Sequence, residues 1–252
     1  TTTSMVATIL TQAHWDPTLV IGGKVDSLGG NAKLGQSDYV VAEADESDGS
    51  FLHLPASFGM ITNIDNDHLD HFGSLQNLDD AFVECVGKFP YCGTVVVCRD
   101  DPGVKRVMPR LTKPFVTYGV SPEADWQARN IRIKPMGSTF EAWARKDGEG
   151  DAVLLGVVTL EVPGRHNVLN ALGSIALCEA LGLEFDAIIA GLKAFKGVKR
   201  RFEVRWKSKD QSQWIVDDYG HHPTEIAATL EAARSTWEGR ILVVFQPHRY
   251  SR

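Results

Sequence analysis

The amino-acid sequence predicts an α/β protein: a mainly parallel sheet with flanking helices, a small antiparallel sheet, and the beginning of a second α/β domain. Three observations carry that expectation. The runs at 39–44, "FGMITNI" (58–64), "GTVVVCRDD" (93–101) and "PFVTYGV" (114–120) are short, apolar and interleaved with helical patterns, as strands covered on both faces are. From Asp125 onward the strands lengthen and alternate polar with apolar, broken at Pro135-Met136-Gly137 and Asp147-Gly148, which reads as antiparallel hairpins appended to the sheet. Near the end, "QWIVDDYG", "PTEIAATLEAARSTW" and "RILVVFQ" form one strand-helix-strand unit.

The elements follow in order. "TTTSMVATILTQAH" places Met5, Val6, Ile9 and Leu10 at helical period. "VIGGKVDSLGGNAKLG" (20–35) reads as a glycine-rich loop, and the strand at 39–44 runs into the acidic turn "DESDGS". "LDDAFVECVGKF" (78–89) is an amphipathic helix. "NVLNALGSIALCEALG" (167–182) is a strong helix ending at a glycine, and "EFDAIIAGLKAF" (184–195) is another. After "GVKRRFE" (197–203) strands resume with "FEVRWKS", so a domain boundary is expected between 1–199 and 200–252.

Composition narrows the function. A formal charge of −6 over 252 residues argues against a general nucleic-acid or anionic-membrane binder, while leaving room for a local phosphate site. No apolar run approaches the roughly 20 residues that span a bilayer. The opening residues lack a basic region and cleavage site of a signal peptide. Cys85, Cys92, Cys98 and Cys178 show no CxxC spacing and read as free core thiols of a reducing cytoplasm.

Chemistry gathers where strands end. Ligands of open α/β sheets bind beyond the carboxyl ends of the strands. One strand end carries Glu43, Asp45, Glu46 and Asp48; the next carries Asn63, Asp65, Asp67, His68 and Asp70. A carboxylate from one and an imidazole from the other could share a Mg²⁺, with Mn²⁺ better suited to the nitrogen. A calcium-binding helix-loop-helix is rejected because the sixth position counted from Asp65 is Asp70 instead of glycine. A solvated acidic turn is the competing reading. In "PGRHNVLNALGSIAL" (163–177), His166, Asn167 and Asn170 open a helix, where they serve either a purine edge or plain capping. Lys199, Arg200 and Arg201 suit phosphate or carboxylate, and "VDDYGHHPTEI" and "FQPHRYSR" end two further strands with histidines and arginines.

Taken together and in this order, "EADESDGSFLHL" (43–54), "TNIDNDHLDHF" (62–72), "GRHNVLNAL" (164–172), "GVKRRFE" (197–203), "DDYGHHPTEI" (217–226) and "FQPHRY" (245–250) resemble the Mur ligases. These are ATP-dependent amide-forming enzymes of bacterial cell-wall precursor synthesis. Each motif alone is modest; six in order, spanning the chain, are specific. The resemblance implies a central ATPase domain followed by the start of a Rossmann-like carboxy-terminal domain, in a bacterial cytoplasmic enzyme. It implies ATP and Mg²⁺ as cofactors, and UDP-N-acetylmuramate and L-alanine as partners, with neither nucleic acid nor membrane. ATP would phosphorylate the lactyl carboxylate, and the amine would attack the acyl phosphate. A tripeptide-joining recycling ligase and a non-catalytic nucleotide-binding module are the alternatives.

By the same resemblance, Glu43 and His68 are the magnesium ligands and catalytic. His166, Asn167 and Asn170 form the adenine set. Arg201 and Asp218 contact the nucleotide, Asp218 through ribose. Tyr219, His221, His222, His248 and Arg249 face the amino acid and the acyl phosphate, with His222 and Arg249 catalytic. Ser47 and Asp48 bind substrate. Thr1 and Thr2 look like the tail of a phosphate loop whose glycines and lysine precede them. On that basis the chain is expected to lack the UDP-binding domain and most of the last domain, and by itself to show little or no ligase activity.

Overall fold

The computed structural model describes residues 1–25, 29–145 and 150–247. Its centre is a six-stranded sheet in the order β4-β5-β6-β7-β8-β9. Strands β4 (Phe58–Ile61), β5 (Thr94–Cys98), β6 (Phe115–Gly119) and β7 (Trp126–Lys134) run parallel. β8 (Gly137–Ala144) and β9 (Val153–Leu160) continue the sheet as antiparallel hairpins. Alternation along β5 shows why it is wholly apolar. Val96 and Cys98 join one hydrophobic cluster and Val95 and Val97 the other, because successive side chains face opposite sides.

The larger cluster lies under α1 (Thr2–Gln12), α5 (Arg165–Ala180) and α6 (Phe185–Ala194), with α5 laid across β4 to β8. The smaller cluster lies under α3 (Leu75–Gly87) and α4 (Pro102–Val107). Ser74 caps α3 by accepting the Asn77 amide at 3.1 Å, and Asp101 caps α4 by accepting the Val104 amide at 2.8 Å.

A second sheet has the order β2-β1-β3. β1 (Thr18–Val25) pairs antiparallel with β2 (Gly30–Lys33) and parallel with β3 (Val40–Ala42). The stretch expected to be a glycine-rich loop is therefore a hairpin. Its glycines serve close approach: a Cβ on Gly23 would stand 2.6 Å from Val198 Cγ1. The strand expected at 39–44 is shorter and is not buried. Val40 is 66% exposed, because β3 lies outside the main sheet and, among the described residues, pairs only with β1.

β10 (Glu203–Lys207) and β11 (Trp214–Asp217) make a small antiparallel sheet, followed by α7 (Pro223–Thr236). The strand expected at 240–246 is absent. Residues 241–247 run without a ladder, since an apolar run becomes a strand only where a neighbour accepts its hydrogen bonds. Among the described residues no helix is long and apolar enough to cross a membrane. The four cysteines are free, but only Cys98 and Cys178 are core thiols; Cys85 is half-buried and Cys92 exposed.

Candidate functional site

Two strand ends from different sheets meet. Past β3, the Glu43 amide donates to the Val20 carbonyl at 2.8 Å, and its carboxylate turns back to accept the Gly22 amide at 2.5 Å. The acidic turn then closes on itself: Asp45 accepts the Ser47 amide and Asp48 the Ser50 amide, each at 2.9 Å. The hydrogen bonds from Ser50 hold the Asp48 carboxyl below the usual aspartate range. Past β4, the loop is pinned from below, where Asp101 takes the Ile64 amide at 3.1 Å while capping α4. His68 follows at φ 56°, a left-handed conformation costly for any residue but glycine. It opens the single-turn helix α2 (Leu69–Phe72). Its Nε2 stands 3.9 Å from Glu46 Oε1 and 3.5 Å from Asp67 Oδ2, and Gly49 packs against the His71 ring.

A third element reaches the same place. His222 caps α7, its Nδ1 accepting the Thr224 amide at 3.4 Å, while Glu225 accepts the amides of His221 at 3.1 Å and His222 at 3.3 Å. Arg201 Nη1 adds a charged bond to Glu225 at 2.9 Å. Burial would raise the Glu225 carboxyl, but these donors hold it below its ordinary value. The Thr224 hydroxyl donates to Asp65, 159 residues away, and His222 Nδ1 lies 3.6 Å from the same carboxylate oxygen. Burial pushes the Asp65 carboxyl up; hydrogen bonds from Thr224 and the Asn66 amide, with the nearby His222, bring it below the ordinary range.

The first turn of α5 borders this assembly. Gly164, at φ 97°, lets the His166 ring fold over it; a Cβ there would stand 2.6 Å from His166 Cε1. Burial pushes the His166 pKa down, opposed by Asp218 and Glu231. The Asn167 amide donates to the Pro163 carbonyl at 2.7 Å, so part of its capacity is spent on the helix entry. The Asn170 carbonyl accepts the Ser174 hydroxyl at 2.8 Å. Asp218 is committed to the backbone, accepting the Phe202 amide at 2.8 Å and the Gly220 amide at 2.7 Å. Tyr219 carries Arg200 at 4.7 Å over its ring, with the His221 ring 5.2 Å away. Thr1 and Thr2 stand half-buried at the start of α1, Thr1 as its N-cap.

Five of the six motifs thus converge. Glu43, Ser47, Asp48 and His68 come from the strand ends, His166, Asn167 and Asn170 from α5, Arg201 and Asp218 from the junction, and Tyr219, His221 and His222 from the entry to α7. His248 and Arg249 lie outside the described residues. The pairing differs from the expected one in a specific way. The Glu43 carboxylate is held by the Gly22 amide, and the carboxylates beside His68 are Glu46 and Asp67.

Among the described residues no group of three or more His, Cys, Asp or Glu is arranged to hold a metal ion. Sequence reasoning missed Asp65 as a tie to α7, and Glu225. The signal for Glu225 was its place three residues beyond the helix cap, the spacing of a capping box.

Residues 1–178 match the Mur ligase middle domain and residues 200–251 match the Mur ligase glutamate ligase domain. The chain belongs to the Mur ligase family. A UDP-N-acetylmuramate–L-alanine ligase of Geotalea uraniireducens is 49% identical over 252 residues, covering 100% of this chain and 53% of that protein. The crystal structure of UDP-N-acetylmuramate-alanine ligase MurC from Thermotoga maritima superposes with a TM-score of 0.80 at 32% identity, covering 95% of this chain and 52% of that one. A murein peptide ligase of Psychrobacter arcticus gives a TM-score of 0.70 at 26% identity, covering 92% and 52%. The chain therefore spans about half the length of the relatives it matches.

Proposed function

We propose that this Mur ligase joins L-alanine to UDP-N-acetylmuramate through an acyl phosphate, in the bacterial cytoplasm, as a step of peptidoglycan precursor synthesis. The observation that carries the reading is the convergence of the β3 and β4 strand ends with the entry to α7, in a chain 49% identical throughout to a ligase of that name. The domain division at 199/200 belongs to the same proposal, and the separate family matches support it.

The lactyl carboxylate attacks the γ-phosphorus of ATP and ADP leaves. The amine of L-alanine then attacks the acyl carbon, and the tetrahedral intermediate expels inorganic phosphate. His68, with Glu46 at 3.9 Å or with Glu43, would help hold a Mg²⁺ whose other ligands are water and phosphate; when bound it would supply positive charge to the phosphoryl oxygens. The chain's own residues do the rest. Arg201, steadied by Glu225, presents a guanidinium toward the nucleotide side. His166 lies against the same side, its burial favouring the neutral ring. His221 sits with Nδ1 3.1 Å from the Tyr219 carbonyl and 3.7 Å from Glu225. With the proton on Nδ1, Nε2 is the basic nitrogen that can take a proton from the incoming ammonium. Tyr219 beside it forms an aromatic wall for a small side chain.

The test is phosphate release from ATP by the gene product that carries this chain, with UDP-N-acetylmuramate, with and without L-alanine. Release requiring both supports the reading. Release indifferent to alanine and stimulated by a tripeptide moves the protein to cell-wall recycling, and no release leaves a nucleotide-binding module. His68→Ala should abolish release; unchanged activity and metal dependence would remove His68 from the metal site.

A further inference from the structure

Among the described residues, Asp65 joins the loop bearing His68 to the start of α7 through side chains, the segment that also bears Tyr219 and His221. We propose that Asp65 is a positioning residue: through Thr224 and His222 it clamps the entry of α7 onto the His68 loop, setting the acceptor-side residues against the phosphate-side residues. The clamp rests on the ligase reading above.

Three features support it. Asp65 is fixed at its own end, where its Oδ1 takes the Asn66 amide at 2.7 Å. The partner end is fixed as well, since Thr224 and His222 belong to the capped first turn of α7 and Glu225 ties that turn to Arg201. Among the described residues Ala232 is the residue of α7 that reaches the core. A carboxylate joining two well-defined turns therefore sets the placement of the start of α7. A reaction between two substrates held by different parts of the chain is sensitive to that placement, because a misalignment of about 1 Å can cost 10²-fold.

The experiment uses Asp65→Asn, Thr224→Val, the double variant and Thr224→Ser. Each is assayed for alanine-dependent phosphate release and for amide hydrogen exchange by mass spectrometry. Asp65→Asn and Thr224→Val should each lower kcat/KM for L-alanine by about tenfold or more, as expected for a lost charge-assisted hydrogen bond. KM for ATP should stay within about twofold, as uncoupled binding would. The double variant should be no worse than the poorer single one, since both remove the same link. Thr224→Ser, which keeps the hydroxyl, should recover most of the loss. Exchange should be reciprocal: Asp65→Asn speeds exchange at 221–226, and Thr224→Val speeds it at 65–72. Additive losses, exchange changes confined to the mutated segment, or unaltered catalysis in the presence of the exchange changes would each overturn the clamp. A wild-type protein without alanine-dependent release would instead overturn the ligase reading.

Discussion

Helices α5 and α7 both begin at a glycine- or histidine-bearing turn beside the site, yet they are held in opposite ways. α5 has no side-chain cap, and most of its length is core, from Val168 through Cys178. α7 has a complete capping box, an Arg201–Glu225 pair and a bond to Asp65, and among the described residues one core residue, Ala232. Burial fixes α5 over its whole length; a handful of polar contacts fixes α7 at one end. A cut in the core should therefore loosen α5 globally, whereas a cut at the cap should loosen α7 locally.

The sharpest way to break the comparison is Leu172→Ala. Leu172 is fully buried on α5, and its truncation should cost about 2–5 kcal/mol and lower Tm for the whole molecule. A loss below about 1 kcal/mol, smaller than any ordinary core cavity, would mean that α5 is not the anchor. Glu225→Ala should cost less, about 1 kcal/mol, the usual scale of a lost helix cap. Its mark is local: faster amide exchange along α7 with α5 unchanged. Equal loosening of both helices would erase the distinction.

His166 offers the finest measurement, since it lies where the two helices face each other. Burial above all holds its pKa below the ordinary 6.5, so the folded protein prefers the neutral ring. As pH falls from 6.5, the unfolded chain takes up a proton before the folded one does. Stability is therefore present above 6.5 and is lost progressively on acidification, until the folded ring itself protonates. Urea midpoints between about pH 7 and 5, the range where histidine titrates, should fall for the wild type and fall less for His166→Gln. Parallel profiles would show that the ring is as solvated as in the unfolded chain.

Much of the fold was legible because its signals are local. The period of α1, α3, α5, α6 and α7 and the short apolar strands β4 to β6 can be read without knowing their neighbours. What escaped depends on neighbours. The β1–β2 hairpin hid behind glycines whose purpose, the approach of Val198 and of Glu43, is visible only in three dimensions. Residues 240–246 have strand composition and, among the described residues, no strand beside them. The site was legible by residue type and by motif order. It was not legible in its pairings: the Glu43 carboxylate faces Gly22, Asp218 serves two backbone amides, and Asp65 reaches across 159 residues.

His68 is carried by the six-stranded sheet, and Glu46 follows β3 of the three-stranded one. The 3.9 Å between them is therefore a gap between two slabs, and it behaves like the jaws of a caliper. The spindle is α1, whose Met5 and Ile9 lie in the same core as Leu19 and Ile21 of β1 and Tyr118 of β6. Both jaws therefore rest on one shared body of packing, that of α1.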